Sequence, residues 1–546
     1  MQNKILQTEP KKLRELILKL KNEENFNILL DITANDYLKY SCKENTEKRP
    51  SRFELIYILR NENKKDEILV KCFASDETYE VPSISDIFYS ANWAERETFD
   101  QYGIKFTSHP NLKRLLNHHE FKGHPLRKDY EITKGQICTS TDDLMDEMTP
   151  FLKEQNLGEE DVMLLNVGPS HPASHGTIRN FMALEGETIL KSVTEIGYLH
   201  RGFEKSCENH TYSQIIPYTD RLNYCSSILN NIAYTKTIED MLGLKIPNRA
   251  KYIRVIVGEL SRIMDHLVCN AANCVDLGGL TNFWYIYNPR DEAYDILSKL
   301  TGARLTNSYT RIGGLAHDLY KGFEDDLETV LKSIEKAVDD ALSLIAHNKI
   351  FIDRTQDVGI IKQDFALNAG ITGPNLRATG LAQDLRKDKP CYFYDNFDFD
   401  VVVGSHGDVY DRMMVRFEEI AQSTKIIRQA IKMMPKGSII IDDKAVVLPK
   451  KKDVHKNIEN LMNQFKLTFE GIKVPEGEFY GSYEGANGEL GFYVKSDGSG
   501  TPYKVKCRPP CFYALGAYAK IIENTMLADA VVTMASMNFI AGEFDR

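Results

Sequence analysis

Two histidines, His171 and His175, stand four residues apart in the stretch NVGPSHPASHGTIR. Four is an interval at which side chains share a helix face, so a metal-binding pair is one reading. Such a pair would need a third ligand and an unbroken helix, and Pro169, Pro172 and Gly176 oppose the helix. The other readings are a turn whose imidazoles cap backbone groups, and a proton-handling group, since histidine titrates nearest neutrality. Asp276, in NCVDLGG, lies at the end of an apolar helical pattern. A carboxylate there is either turned to solvent or half-buried, and half-burial would raise its pKa and make it a proton reservoir. Tyr224 in YTDRLNYC is one tyrosine among twenty-seven, and by itself says little.

These residues must be positioned by elements that the pattern predicts. The spacing of Ile253, Ile256, Val257, Leu260, Ile263, Met264 and Leu267 predicts a long helix that Gly278 and Gly279 end. A second stripe, from Leu327 through Val330, Leu331, Ile334, Ala337, Val338 and Ala341 to Ile345, follows an acidic start that suits a helix N-terminus. Near the end, GELGFYVKSDGSGTPYKVKCR predicts a hairpin around Ser-Asp-Gly-Ser-Gly. The first third differs. RFELIYILR and EILVKCFA predict strands, and SISDIFYSANWAERETFDQYGI predicts a helix that Gly103 stops.

A chain of 546 residues exceeds one ordinary core, so at least two domains are expected. The acidic, aperiodic stretch after GHPLRKDY divides it into an α+β domain (1–132), a linker (133–160) and a mainly helical domain with a small β appendage (161–546). The overall class is α+β. A net charge of −10 argues against nucleic acid as the main partner. No apolar run reaches the length of a bilayer span, and the first residues carry no signal-peptide pattern, so any membrane role is expected to be peripheral or to come through a partner. Ten scattered cysteines include no C-x-x-C pair, which argues against a zinc ribbon or an iron–sulfur cluster held by this chain alone. The pairs in CNAANC and CRPPC are read as packed thiols of a reducing compartment.

The motifs taken together are more specific. DITANDYL, RFELIYIL, ANWAERETFDQYGIKFTSHPNLKRLL and GHPLRKDY resemble the 30-kDa (C-type) subunit of respiratory complex I. NVGPSHPASHGTIR, GYLHRGFEK, YTDRLNY, GELSRIMDHL, RIGGL, GPNLRATG, GDVYDRMMVRFEEIAQSTKIIRQ, SDGSGTPYKVKCRPPCF and GEFDR resemble the 49-kDa (D-type) subunit, in the family's order. The whole is similar to the fused C/D subunit of some bacteria. The D-type family in turn resembles [NiFe]-hydrogenase large subunits. Here a single Cys225 stands in DRLNYCSS and no cysteine in SMNFIAGEFDR, so the thiolates that such a metal site needs are lacking.

The resemblance implies a proton-pumping NADH:quinone oxidoreductase, peripheral on the cytoplasmic side of the inner membrane. It implies that His175 and Tyr224 contact the quinone headgroup, menaquinone or ubiquinone, and that Asp276 is the acid linked to His175, while His171 shapes the loop. It implies that Arg201 faces a [4Fe–4S] cluster of the B-type subunit, with I-type, G-type and H-type subunits as further neighbours; no metal is assigned to this chain. Departures are Asn538 for the usual Asp, Ala486 for Pro in EGANGE, Asp291 for Glu in NPRDE, and Thr306 and Asn307 where many relatives carry a histidine.

Overall fold

The computed structural model describes residues 3–40, 49–75, 78–141, 144–158, 161–174 and 176–546. The N-terminal part is built on a four-stranded sheet in the order Lys4–Thr8, Asp66–Phe73, Phe53–Asn61, Ile28–Asp36. Its first strand runs parallel to its neighbour and the others pair antiparallel. The two predicted strands and the Gly103 stop are present; Gly103 takes φ +73, and a Cβ there would lie 2.4 Å from the Arg127 guanidinium. The helix itself starts later than its sequence pattern, at Tyr89.

Both faces of this sheet are buried. On one, Leu29, Ile32, Leu55, Tyr57 and Val70 pack with Leu13, Ile17 and Leu20 of the helix Pro10–Asn22 and with Ala91 and Ala94 of the helix Tyr89–Tyr102. On the other, Ile28, Leu30, Ile56, Ile58 and Leu69 meet Tyr480 and Tyr493. Period-two alternation with both faces covered explains why these strands read as nearly continuous apolar runs.

Tyr480 and Tyr493 belong to the sheet Gly477–Glu484, Glu489–Ser496, Lys504–Arg508. The predicted hairpin is there, with a third strand added by Gly477–Glu484. It is no appendage. It is wedged between the two halves, because its outer face carries the aromatic rings that complete the N-terminal sheet's packing. Polar groups seal the contact: Arg60 pairs with Glu489 at 2.6 Å, Asn35 donates to the Tyr493 hydroxyl, and Tyr513 donates to Asp31. Glu97 accepts Lys506 at 2.7 Å and Arg546 at 2.6 Å, all three buried.

The stretch read as linker contains a helix, Met145–Glu154, whose Met148 and Leu152 pack with Val162, Phe181 and Ala183. Beyond it a three-stranded antiparallel sheet, Met163–Val167, Arg179–Glu185 and Thr188–Glu195, leads into the helical part. The centre is the 29-residue helix Asn248–Asp276, against which Ser227–Leu242, Leu280–Thr301, Val409–Met433 and Leu527–Met537 pack. The second predicted stripe forms the helix Phe323–Ile345, and all eight stripe residues are buried. Among the described residues no helix is long and apolar enough to cross a membrane.

Candidate functional site

Tyr224 lies in the turn at residues 220–226, between the helices Tyr212–Thr219 and Ser227–Leu242. Its side chain is two-fifths exposed, whereas Asn223 before it and Cys225 after it are buried. Asn223 fixes the turn from beneath. Its Oδ1 accepts the Cys225 and Ser226 N–H groups at 3.0 and 3.2 Å, its carbonyl accepts the Asn230 amide, and its Nδ2 donates to Asp265 Oδ2 at 2.8 Å. The helix Ala541–Phe544 closes the other side: a Cβ on Gly542 would sit 2.4 Å from the Leu222 carbonyl oxygen, so only glycine fits. Partial burial, aided by the neighbouring Cys225, Cys511, Asp265 and Glu543, pushes the Tyr224 phenol up to about 12. It therefore keeps its proton at neutral pH and can donate a hydrogen bond.

Asp265 is the hub behind the turn. It is fully buried, and its second oxygen accepts the Asn538 amide at 2.6 Å. Asn538 caps the helix Leu527–Met537 at φ +56, a conformation that asparagine tolerates, and its amide also reaches Asn487 Oδ1. In this chain, then, the carboxylate of the pair is Asp265 and the 538 position supplies the amide. Glu543 lies close by; burial pushes its carboxyl up to about 7, and its Oε2 has no hydrogen-bond partner among the described residues.

Arg201 is exposed and joins the same region, its Nη2 donating to the Arg221 carbonyl at 2.9 Å. Its own turn is clasped by Asp545, which accepts the Gly197 and Leu199 N–H groups at 2.8 and 2.7 Å and whose carbonyl accepts His200 Nδ1–H. Among the described residues no carboxylate pairs with Arg201; Asp220 pairs with Arg221 instead. Burial and the nearby Arg221 lower the Arg201 pKa from its ordinary value.

Asp276 is the last residue of the central helix and is exposed, about three turns beyond Asp265. Of the two sequence readings, the structure favours a helix-end carboxylate over a half-buried one. His175 lies outside the described residues. The rest of its loop joins the strands Met163–Val167 and Arg179–Glu185 around a short 3-10 turn, Pro172–Ser174, that contacts the helix Leu527–Met537. His171 is exposed; its Nδ1 accepts the Ala173 N–H at 3.2 Å and its carbonyl accepts the Ser174 N–H and hydroxyl, the contacts of a residue that shapes a turn. Val167 and Ile178 of this loop share one apolar cluster with Cys225, Cys511, Met534 and Phe544. The structure thus gathers the Tyr224 turn, the Arg201 turn and the residue-538 cap around one end segment, with the histidine loop on the same cluster.

Beneath this rim lies a polar network that the apolar stripe did not reveal. Glu259, Arg262, Asp265 and His266 of the central helix are all fully buried. Glu259 bonds to Arg386, Tyr394 and Ser423. His266 Nε2 lies 2.9 Å from Glu419, which pairs with Arg377 at 2.7 Å, and Arg377 reaches Glu484 at 2.8 Å. Burial opposes ionisation of Glu419, but Arg377 and His266 outweigh it and hold its pKa well below the usual range. The signal was present in GELSRIMDHL: charges three or four apart on a helix whose other face is apolar and too long for a surface element.

The nine described cysteines are free, and burial pushes the Cys269 thiol up to about 11 and Cys274 to about 12, as inert packed thiols require. Two open clefts of about 570 and 680 Å³ lie beside the N-terminal domain, and Tyr224 lines neither.

The family described as respiratory-chain NADH dehydrogenase, 30 Kd subunit, matches residues 6–136, and the 49 Kd subunit family matches residues 276–546. The chain is 46% identical over 531 residues to the fused C/D protein of NADH-quinone oxidoreductase from Bdellovibrio bacteriovorus, covering 97% of this chain and 93% of that protein. It belongs to the fused C/D family of NADH-quinone oxidoreductase subunits. A second such fusion, one of those in Aquifex aeolicus, is 36% identical over 98% of this chain and 94% of its own length. The D-type protein of the same oxidoreductase from Myxococcus xanthus is 49% identical over 384 residues, 70% of this chain and 92% of that protein. The C/D chain is therefore a subunit of an oxidoreductase of the respiratory chain, complex I, and works alongside the other subunits of that complex.

Proposed function

We propose that the C/D chain forms one wall of the quinone-reduction site, with Tyr224 and His175 at the headgroup. Reduction of a quinone to a quinol consumes two electrons and two protons, and its oxygens become basic as electrons arrive. A phenol and an imidazolium within hydrogen-bond reach supply the protons. Asp276 keeps the imidazole charged and oriented. The observation that carries this reading is Tyr224 itself: an exposed phenol, protonated at neutral pH, on a turn that Asn223 and Asp265 hold rigid from behind. Exposed reactive groups suit a pocket that neighbouring subunits complete.

Electrons come from a [4Fe–4S] cluster of the adjacent B-type subunit, and Arg201, an exposed cation with no carboxylate partner among the described residues, faces it. A positive charge there favours the reduced cluster. I-type, G-type and H-type subunits surround the site, on the cytoplasmic side of the inner membrane, and the quinone is menaquinone or ubiquinone. The helical half is a hydrogenase-like scaffold in which Cys225 N–H bonds to Asn223 and the thiol packs in the core, where a metal-holding thiolate would be needed. Under this reading the C-type part is 1–132 and the D-type part 161–546, and the 133–160 stretch between them carries the helix Met145–Glu154, which packs on the D-type part.

The second reading, a docking scaffold without chemistry of its own, draws on the N-terminal sheet, whose faces are both spent on packing. Tyr224→Phe in the assembled complex separates the two. Assembly persists in both cases, but loss of the proton donor lowers quinone reduction by roughly 10² or more. Unchanged turnover leaves only the scaffold.

A further inference from the structure

A cluster of metal-ligating side chains is left unused by the chemistry above. It lies where the irregular segment after the N-terminal domain folds back: His118 and Glu120 sit on one irregular stretch, and Cys138 on the returning one. Ligand atoms of His118, Glu120 and Cys138 all lie within 4.8 Å of one another, and His118 Nδ1 is 3.9 Å from Glu120 Oε2. Three donor types, nitrogen, oxygen and sulfur, converge on a site open to solvent.

Two features prepare these donors. The His118 Nε2–H is anchored on the Ser140 carbonyl at 2.8 Å, which fixes the tautomer and leaves the Nδ1 lone pair toward Glu120. Metal-binding histidines are held in this manner, one ring nitrogen donating to a backbone carbonyl and the other facing the ion. The Glu120 carboxylate is held by the Ser140 hydroxyl and by the Thr139 and Ser140 N–H groups, the last two at 2.9 and 3.4 Å. His118 Nδ1 now accepts the Glu120 N–H at 3.1 Å, a contact that an ion would replace. The His119 ring stacks on His118 at 4.2 Å between centroids, and its Nε2 bonds to Ser140 Oγ at 3.0 Å.

We propose that His118, Glu120 and Cys138 bind one divalent transition-metal ion, zinc by the chemistry of the donors. A carboxylate and a thiolate neutralise its two charges, and imidazole and thiolate are donors that zinc prefers to calcium or magnesium. A tetrahedral zinc spaces such donors by roughly 3.3–3.6 Å, so exposed side chains must draw in by about 1 Å. The fourth position goes to water or to His119. The ion clips the returning segment to the N-terminal domain just before the chain enters its second half, and Cys138 loses its thiol proton to solvent on binding.

The test uses the untagged full-length chain with cobalt(II) as a coloured stand-in, displaced afterwards by zinc(II). One cobalt per chain and a sulfur-to-cobalt charge-transfer band in the near ultraviolet are expected. Cys138→Ser abolishes the band. His118→Asn and Glu120→Gln weaken cobalt binding by at least about tenfold. Cys42→Ser leaves it intact, and zinc protects Cys138 from iodoacetamide in the unaltered chain. A chain that gives no band with cobalt, a band that survives Cys138→Ser or disappears in Cys42→Ser, or binding unmoved by His118→Asn overturns the site.

Discussion

The rim around Tyr224 and the network beneath it are built from similar residue types under opposite rules. On the rim, Tyr224 and Arg201 are exposed, and the hydrogen bond that Arg201 makes goes to a backbone carbonyl. Underneath, Asp265, Glu259, Arg262, Arg377 and Glu419 are fully buried and each meets several partners at hydrogen-bond distance. A buried ion can stay charged only if its lost hydration is replaced by fixed partners, so the network is rigid by necessity. An exposed group keeps its hydration and stays available to react. The division teaches that the chemistry and the framework can be separated by mutation.

The comparison breaks first at Arg377. Arg377→Met leaves Glu419 and Glu484 without their shared cation, so the chain is expected to lose about 3–5 kcal/mol of stability, read from a denaturant midpoint. Tyr224→Phe, on the rim, should move that midpoint by less than about 0.5 kcal/mol. If both variants unfold alike, rim and network are one structural unit.

Next is the pH dependence of Glu543. Its carboxyl is raised from the ordinary 4.5 to about 7 by burial, so the folded chain binds that proton more tightly than the unfolded chain does. Its contribution is complete below about pH 4.5 and disappears as pH rises through 7, a loss of about 2–3 kcal/mol by pH 8. Asp545 and Asp220, both raised to about 7 by burial, add in the same direction. Glu543→Gln mimics the protonated acid and should flatten the fall of melting temperature between pH 5 and 8. An undiminished fall assigns the effect to the other two.

A smaller change is expected for Asp265→Asn, which keeps the shape but offers only one acceptor to two amide donors, Asn223 and Asn538. About 1–2 kcal/mol should be lost, and quinone reduction should fall with it as the Tyr224 turn loosens. Unchanged turnover in a destabilised chain would detach the hub from the rim. The smallest effect concerns Thr306 and Asn307. The Asn307 side-chain amide donates to Thr301 Oγ1 at 2.8 Å and its backbone N–H to Ser227 Oγ at 3.1 Å, and neither a threonine nor an asparagine side chain titrates. Under the proposed function, with the B-type subunit's [4Fe–4S] cluster beside this segment, the cluster potential should therefore change little with pH in the assembled complex; a steep slope in a redox titration would count against this.

Much of the fold was legible in the residues. The stripe from Leu327 to Ile345 is buried residue for residue, and the turn in SDGSG and the stop at Gly103 stand where their chemistry requires. These are local properties: a 3.6-residue period, a turn that asks for glycine, a left-handed cap. The candidate site was legible only in part. Tyr224 and Arg201 were reached through motif resemblance, but their shared support by the 541–545 segment and Asp265 was invisible, as was the helix within the supposed linker.

By itself the sequence determined which segments coil, which extend and where they stop, because backbone sterics and apolar periodicity act between near neighbours. Only the tertiary structure decided the fate of the polar faces. Whether Arg60, Glu259 or Asp265 meets water or a counter-charge depends on partners such as Glu489, Arg386 and Asn538, which the chain supplies from far away. Periodicity says that a face is polar; the cost of dehydrating a charge makes its burial wait until another part of the fold brings the compensating group.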